Sequence, residues 1–317
     1  MIGRCGDALS AIDAEPLLTT IKAIVGGEDN VKPAPFAYAR ARSLDHAIEL
    51  ITKDPESTKV LAGGQSLVAT LNMRLSAPAL LVDINGLNEL KGINRTDGYL
   101  EVGALVRQRE AERSPDIARY APLLAKALPH IAHPAIRNRG TIGGSIAYSD
   151  PAAELPACLL ALDGEVEIAG TEGRRTIKAD DFFKGLFETA LTPSDVLTAI
   201  RLPVATASSR IGFAELARRQ GDYALVGLAA SARKDGYVLR DVRLAFFGVG
   251  TMPTRARNAE VEIAGRALDQ DRIDAATAAL VHDLDPPSDV HASSAAKKHL
   301  AAVLLKRVAL QLGESMP

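Results

Sequence analysis

The residues from Arg137 to Glu154, RNRGTIGGSIAYSDPAAE, hold the densest chemistry in the chain. A basic run leads into Thr141-Ile142-Gly143-Gly144-Ser145. Adjacent glycines allow close backbone approach and positive φ. Consecutive N–H groups exposed in that way form an anion-binding concavity. The hydroxyls of Thr141 and Ser145 can donate further hydrogen bonds. A phosphate or pyrophosphate is the natural guest. A second pair sits in Leu61-Ala62-Gly63-Gly64-Gln65-Ser66-Leu67, after the β-type run Lys59-Val60-Leu61. It leads into Leu67–Leu75, which reads as a short helix. A strand, a glycine turn and a helix start suit a phosphate by geometry and dipole. One Gly-Gly alone reads as a tight turn. Two such loops with hydroxyl and amide neighbours predict a diphosphate held between them.

Other chemistries lack their residues. A P-loop lysine motif is absent, and neither glycine pair belongs to G-x-G-x-x-G. His130 and His133 could face the ligand loop, but further metal ligands are missing nearby. No nucleophile elbow is present. The residues therefore predict a two-loop diphosphate site without hydrolytic chemistry. FAD and other dinucleotides satisfy that equally.

The elements that must position these loops read as follows. Ser43 caps a helix that runs to Ile51. Strands are expected at Val60–Ala62, Leu80–Asp83 and Leu100–Val102, with Asp97-Gly98 as a turn. Ala121–His130 reads as a helix. Asp150-Pro151 predicts a helix start, with an acid cap and proline at the first position. That helix ends near Asp163-Gly164. Strands follow at Glu165–Ile168 and Leu197–Leu202. Ala205–Ser209 reads as a linker. Beyond it, strands are expected at Ile211–Ala217, Leu225–Ala232 and Val242–Phe247, with a hairpin turn at Lys234–Tyr237. Helices are expected at Val261–Leu268, Ile273–His282 and Ser293–Leu312. The last places Leu300, Val303, Leu304 and Val308 on one face, with Lys297, Lys298 and Lys306 elsewhere.

The composition sets the class. The 317 residues are 47% hydrophobic and 24% charged, with a formal net charge of -2. That argues against nucleic acid or an anionic membrane as partner. No apolar run is long enough to cross a bilayer. Cys5 and Cys158 are the only cysteines. Two thiols cannot hold an iron–sulfur cluster or make a disulfide framework, which fits a reducing cytoplasm. Aromatic content is 4% without tryptophan, so a base-stacking surface is not expected.

Several motifs together resemble one family. LAGGQSL at 61–67, RNRGTIGGS at 137–145 and the following SDPAAELPA look like the FAD-binding medium subunit of molybdenum hydroxylases, the xanthine dehydrogenase and aerobic carbon monoxide dehydrogenase family. KPAPFAY, IRLP at 200–203, ARRQGDYA at 217–224 and SSAAKKHLAAVLLKR are also similar, in order from about Val31 to about Leu312. The resemblance implies an α+β chain. A p-cresol methylhydroxylase-type FAD-binding domain of two α/β subdomains covers 31–206. A smaller α+β domain with a three-stranded antiparallel sheet and helices covers 207–317. Residues 1–30 are expected to be an extension, from a mis-called start codon or as a loose tail.

The resemblance carries Val60, Leu61, Ala62, Gly63, Gly64, Gln65, Ser66 and Leu67, with Thr141, Ile142, Gly143, Gly144 and Ser145, over as residues around the FAD diphosphate. Glu154 stands where relatives often have an aspartate that hydrogen-bonds the cofactor. Ile131 matches an apolar residue near the adenine. Leu197 is a further carry-over. Tyr223 matches a residue against the flavin ring, and Arg218 lies nearby. Tyr148 stands where many relatives have histidine. The cysteine-rich insertion of hydroxybenzoyl-CoA reductases is missing. By the same resemblance this is an oxidoreductase subunit. The molybdenum cofactor would sit on a large subunit and 2Fe-2S clusters on a small subunit, in a dimer of heterotrimers. Electrons would pass from the clusters through FAD to NAD, quinone or oxygen. A stand-alone FAD oxidoreductase of the same fold is one alternative; it would need its own substrate base, and none stands out. A non-catalytic assembly subunit is another, and the intact glycine loops argue against it.

Overall fold

A computed structural model describes residues 32–314. The expectations for residues 1–30, and Cys5, lie outside the described residues.

The first layer is a parallel sheet of β1 (Ala37–Arg40), β2 (Thr58–Leu61) and β3 (Leu80–Asp83), in the order β1-β3-β2. Between β1 and β2 runs the helix Leu44–Thr52. Ser43 caps it as expected, its hydroxyl accepting from the His46 N–H at 3.1 Å. The helix buries Leu44, Ala47 and Ile51 against Val82, Ile84 and Leu105. The first glycine loop leaves the carboxyl end of β2. After it the helix covers only Leu67–Asn72, because Arg74 turns into the left-handed region at φ 54°.

The second sheet is antiparallel. β4 (Ile93–Thr96) and β5 (Tyr99–Gly103) are joined at Asp97 and Gly98, with φ of 50° and 81°. Positive φ at both positions is the hairpin turn expected there. β6 (Glu165–Gly170) and β7 (Gly173–Lys178) form a hairpin. The two-stranded ribbon β8 (Phe183–Gly185) and β9 (Glu188–Thr189) follows, and then β10 (Val196–Pro203). The sheet order is β4-β5-β10-β6-β7.

The third sheet joins β11 (Ser209–Ala217), β12 (Ala224–Asp235), β13 (Val238–Phe247) and β14 (Thr254–Arg255) in that order. The three expected strands are thus joined by a two-residue fourth at the edge. The long helix Ser294–Gly313 packs on β11 and β12 and buries Ala301, Leu304, Leu305, Val308 and Leu312. Its buried face is rotated from the expected one. Lys297 is buried, with its Nζ 2.6 Å from Asp289, while Val303 is only half-buried. The preceding helices are Arg257–Ile263, earlier than the expected Val261–Leu268, and Gln270–Ala279.

Two helix expectations near the site are corrected. The helix expected to open at Asp150-Pro151 begins instead at Glu154 and ends at Ala161. Asp150 makes a turn: its carboxylate accepts from the Ala152 N–H at 2.9 Å and its carbonyl from Ala153 at 3.0 Å. The helix expected over Ala121–His130 is Pro122–Ala127, tightening to a 3-10 turn at Leu128–His130.

One hydrophobic core runs from the second sheet into the third. Ile146, Leu155 and Leu159 pack in the same cluster as Phe213, Ala229 and Phe247. The Ser231 hydroxyl donates to the Ala161 carbonyl at 2.6 Å across that seam. Asp180 accepts from Arg243, Arg255 and Arg257 at 3.1–3.2 Å on its rim.

Candidate functional site

The two glycine segments, far apart in sequence, meet in space. A Cβ at Gly63 would lie 2.5 Å from the Arg139 carbonyl oxygen and 2.9 Å from the Gly140 Cα. A Cβ at Gly144 would lie 3.9 Å from that of Ala62. Gly64 has φ +72°, the left-handed conformation that glycine adopts freely. Among the described residues, no hydrogen bond uses the backbone N–H of Gly63, Gly64, Gln65 or Ser66. Successive free donors around a positive-φ residue suit an anion.

The second segment differs from the expected open loop. Gly143 and Gly144 lie inside the helix Ile142–Tyr148, and neither has positive φ. Its first N–H groups have protein partners: Ile142 donates to Val106 O and Gly143 to Ala104 O, both at 2.9 Å. Gly144 donates to the capping hydroxyl of Thr141 at 3.0 Å. Gly143 is needed for packing, since a Cβ there would lie 2.5 Å from that of Ala104. The N–H groups without protein partners among the described residues are therefore those of the first loop, and the second supplies a tightly seated helix start beside it. Ser145 remains half-buried beside them, its hydroxyl without a described hydrogen-bond partner.

Three polar residues beside the loops, two of which tie them together, are not legible in sequence. Asn85, just past β3, donates to the Ala62 carbonyl and to Asp83 Oδ1, each at 2.7 Å. Arg107 donates to Asn85 Oδ1 at 2.7 Å and also to the Arg139 carbonyl. Arg107 is thus a tie between the two loops, with Arg139, Asp83 and Glu110 as the charges that act on it. Partial burial, then Arg139, pulls the Arg107 guanidinium below its ordinary value. Gln108 is buried, and its Oε1 has no partner among the described residues. No short motif announces these three.

The helix Ile142–Tyr148 sets about 9 Å, six steps of 1.5 Å, between its first and last residues. At its far end the Tyr148 ring lies 5.0 Å from that of Phe187, at 53°. Phe187 tips the β8–β9 ribbon at φ 56° and is half exposed. Tyr223, 67% exposed, reaches the same region from the turn before β12. Its hydroxyl end is withdrawn from water and donates to Asp150, which together push the phenol up to about 12. Burial raises the Asp150 carboxyl above its ordinary value. Ser149 between them is fully buried at φ 52°, and its hydroxyl has no described partner.

Glu154 opens the next helix and is 8% exposed. Burial, reinforced by Glu215 and Asp150, pushes its carboxyl up to about 8 against the opposing pull of its own N–H and of His130. Ile131 is 8% exposed, and its carbonyl is held by Arg137 Nη1 at 2.7 Å. Leu197 is a core residue at a bulge in β10, 6% exposed. It packs in the same core cluster as Ile142 and Ile146, and the carbonyl of its neighbour Thr198 accepts from the Ala104 N–H at 2.8 Å. Arg218 is exposed and pairs with Asp222 at 3.6 Å. Among the described residues, no group of three or more His, Cys, Asp or Glu is arranged to hold a metal ion.

Residues 34–205 match the family model described as the FAD binding domain in molybdopterin dehydrogenase. Residues 212–312 match the CO dehydrogenase flavoprotein C-terminal domain. The chain belongs to the FAD-binding subunits of the molybdopterin dehydrogenases. It is similar to the nicotine 6-hydroxylase medium subunit of Paenarthrobacter nicotinovorans, 37% identical over 89% of this chain and 99% of that one. A solved carbon monoxide dehydrogenase from Hydrogenophaga pseudoflava, lacking the Mo-pyranopterin moiety, superposes with a TM-score of 0.86. It is 34% identical and covers 88% of this chain and 98% of that one. Quinoline 2-oxidoreductase from Pseudomonas putida 86 gives 0.83, with 36% identity over 89% and 98% of the two chains. The chain is accordingly an oxidoreductase subunit with FAD as its cofactor. No helix among the described residues is long and apolar enough to cross a membrane.

Proposed function

We propose that this chain carries electrons from 2Fe-2S clusters of a small partner subunit through FAD to an external acceptor. A large partner subunit would hold the molybdenum cofactor and oxidise the substrate. The assembly would be a cytoplasmic dimer of heterotrimers. Relatives named as medium subunits or chains support the heteromer. The buried free thiol of Cys158 fits a reducing compartment.

The observation that carries the reading is the convergence of the two glycine segments around open N–H groups. The N–H donors of Gly63 to Ser66 have no protein partner among the described residues, and Arg107 brings a positive charge to the contact between the loops, which supports an anion there. A diphosphate fits there. Thr141, Ile142, Gly143, Gly144 and Ser145 would wall it from the other side, with Val60, Leu61 and Leu67 as the frame of the first loop. Tyr148, Phe187 and Tyr223 stand a helix length away, where a ring system can be covered. Glu154 would face that ring, and Ile131 would border the adenine. Leu197 would act only as packing behind the site.

Bound FAD supplies the redox chemistry, accepting and passing electrons. The protein's part is to bind, orient and shield it. Co-expression with neighbouring genes and purification through a tag on this chain tests the proposal. The expected result is a co-purifying complex with flavin and iron–sulfur absorbance, whose flavin is bleached when substrate is added. A complex without flavin, or flavin that substrate never reduces, overturns it.

A further inference from the structure

We propose that Asp83 is a positioning residue of the FAD site: with Tyr38 and Asn85 it forms a brace that holds the Arg107 guanidinium at the contact between the two glycine segments. The inference rests on the reading that a diphosphate sits at the first loop.

The brace starts on the middle strand of the parallel sheet. Asp83 is the last residue of β3, which lies between β1 and β2. In open parallel sheets, ligands bind beyond the carboxyl ends of the strands. Asp83 pairs in register with Leu61, two residues before Gly63. Both carboxylate oxygens have donors. Oδ2 accepts from the Tyr38 hydroxyl at 2.6 Å. Oδ1 accepts from the Asn85 N–H at 2.8 Å and from Asn85 Nδ2 at 2.7 Å. Donors on two sides fix the rotation of the carboxylate.

The Asn85 carboxamide has one orientation that satisfies its neighbours. Its NH2 faces two acceptors, Asp83 Oδ1 and the Ala62 carbonyl, each at 2.7 Å. Its oxygen faces a donor, Arg107 Nη2, at 2.7 Å. Turned over, the amide would set its oxygen against two acceptors and its NH2 against a guanidinium. Arg107 in turn donates to the Arg139 carbonyl. That is the oxygen 2.5 Å from where Gly63 would carry a Cβ. The series of bonds therefore runs from the edge strand β1 to the contact between the loops. Tyr38, at its far end, is 53% exposed.

The sign of the charge separates a brace from a field. Against its partial burial, the bonds from Tyr38 and Asn85 and the charge of Arg40 hold the Asp83 carboxyl below its ordinary value. Asp83 is thus an anion at neutral pH, and its charge alone opposes a diphosphate in the neighbouring loop. Acting by field, it would weaken FAD binding. Acting through Asn85 and Arg107, it strengthens binding, and does so by its acceptor oxygens rather than its charge.

The test is the FAD dissociation constant of the purified full chain, by equilibrium dialysis, beside the thermal midpoint without FAD. Asp83→Ala takes the acceptor from Asn85 and should weaken FAD binding by about tenfold. Asp83→Asn keeps an oxygen for Asn85 and can turn its own NH2 to the Tyr38 oxygen, so it should stay within about threefold of wild type. Tyr38→Phe removes one donor at the sheet edge and should weaken binding by about two- to threefold. Asp83→Ala combined with Arg107→Met should bind no more weakly than Arg107→Met alone, because Asp83 acts through Arg107. Equal or tighter binding in Asp83→Ala and Asp83→Asn alike would make Asp83 only a charge near the site and overturn the brace. Losses that add in the double variant also overturn it, as does a lower midpoint with wild-type affinity in Asp83→Ala. If Asp83→Ala does not fold, Tyr38→Phe decides, and wild-type affinity there overturns the proposal. A wild-type chain that takes up no FAD removes the functional reading instead, a separate outcome.

Discussion

The position where Gly63 would carry a Cβ lies 2.5 Å from the Arg139 carbonyl oxygen. Glycine is required there because two backbones approach, and its φ is not in the left-handed region. Gly63→Ala must push the loops apart, and overpacking of this kind costs about 1–3 kcal/mol. The expected result is folded protein with a lower thermal midpoint and a clearly reduced flavin-to-protein ratio. Circular dichroism beside absorbance checks it. Wild-type flavin content in Gly63→Ala would show that the contact between the loops does not shape the site.

Gly64→Val and Gly144→Val should both give folded but largely FAD-free protein, for different reasons. At Gly64 the φ of +72° opposes any β-branched residue. At Gly144 a Cβ would lie 2.6 Å from Thr141 Oγ1 and disturb the helix cap. Losing such a cap costs about 1 kcal/mol, so only Gly144→Val should also respond to repair of helix stability elsewhere. Flavin absorbance and thermal melts separate the two. Full occupancy in both would remove these residues from the site.

Arg107 ties Asn85 to the Arg139 carbonyl. Hydrogen bonds from a charged donor contribute about 1.5–3 kcal/mol. Arg107→Met should therefore weaken FAD binding by about tenfold or more, and Arg107→Lys should recover only part, because lysine lacks the planar fork. Equilibrium dialysis of FAD reports both. Unchanged affinity in Arg107→Met would leave Arg107 with a purely structural place.

Much of this was legible in sequence because it depends on local chemistry. Ser43 and Ser293 cap helices through their own hydroxyls, and Asp97-Gly98 makes a hairpin turn whatever surrounds it. The glycine pairs marked the two segments that meet. Their different roles were not legible. The backbone bonds of Ile142 and Gly143 go to Val106 and Ala104, which only the folded chain brings near. Asp150 resembled a helix cap but spends its oxygens on a turn three residues earlier. Short strands such as β8, β9 and β14 carry no periodic signal at two or three residues. Asn85, Arg107 and Glu215 act through partners 20 or more residues away, as with Arg107 and Arg139 at a separation of 32. Spacing cannot announce such pairs.

Glu154 makes stability depend on pH. Its folded carboxyl is raised from 4.5 to about 8, so between those values the folded state holds a proton that the unfolded chain has lost. Its contribution is fully present below about 4.5 and fades as pH rises to about 8. His130, also raised, acts in the same direction. Glu154→Gln should flatten this dependence and make the protein more stable than wild type at pH 8, by up to a few kcal/mol. Urea unfolding across that range checks the sign. A wild-type midpoint that rises with pH through the window, with Glu154→Gln parallel to it, would show that Glu154 is ionised when folded.

Tyr223 offers its ring to solvent while its hydroxyl is tied to Asp150. A ring held so can lie face or edge against a flavin, a contact worth about 0.5–1.5 kcal/mol beyond burial. That is small beside charge-assisted bonds at a diphosphate. Tyr223→Ala should therefore retain most FAD, within about tenfold of wild-type affinity. It should also change flavin fluorescence, midpoint potential and the rate of reoxidation in the assembled enzyme. Tyr223→Phe separates the ring from the hydroxyl. It keeps the cover and frees Asp150, so fluorescence should stay near wild type while the Asp150 carboxyl gains access to water. If all three readouts match wild type in Tyr223→Ala, the residue is only a loop tyrosine. If FAD is lost altogether, Tyr223 anchors the cofactor, and the division between a diphosphate cradle and a ring cover fails.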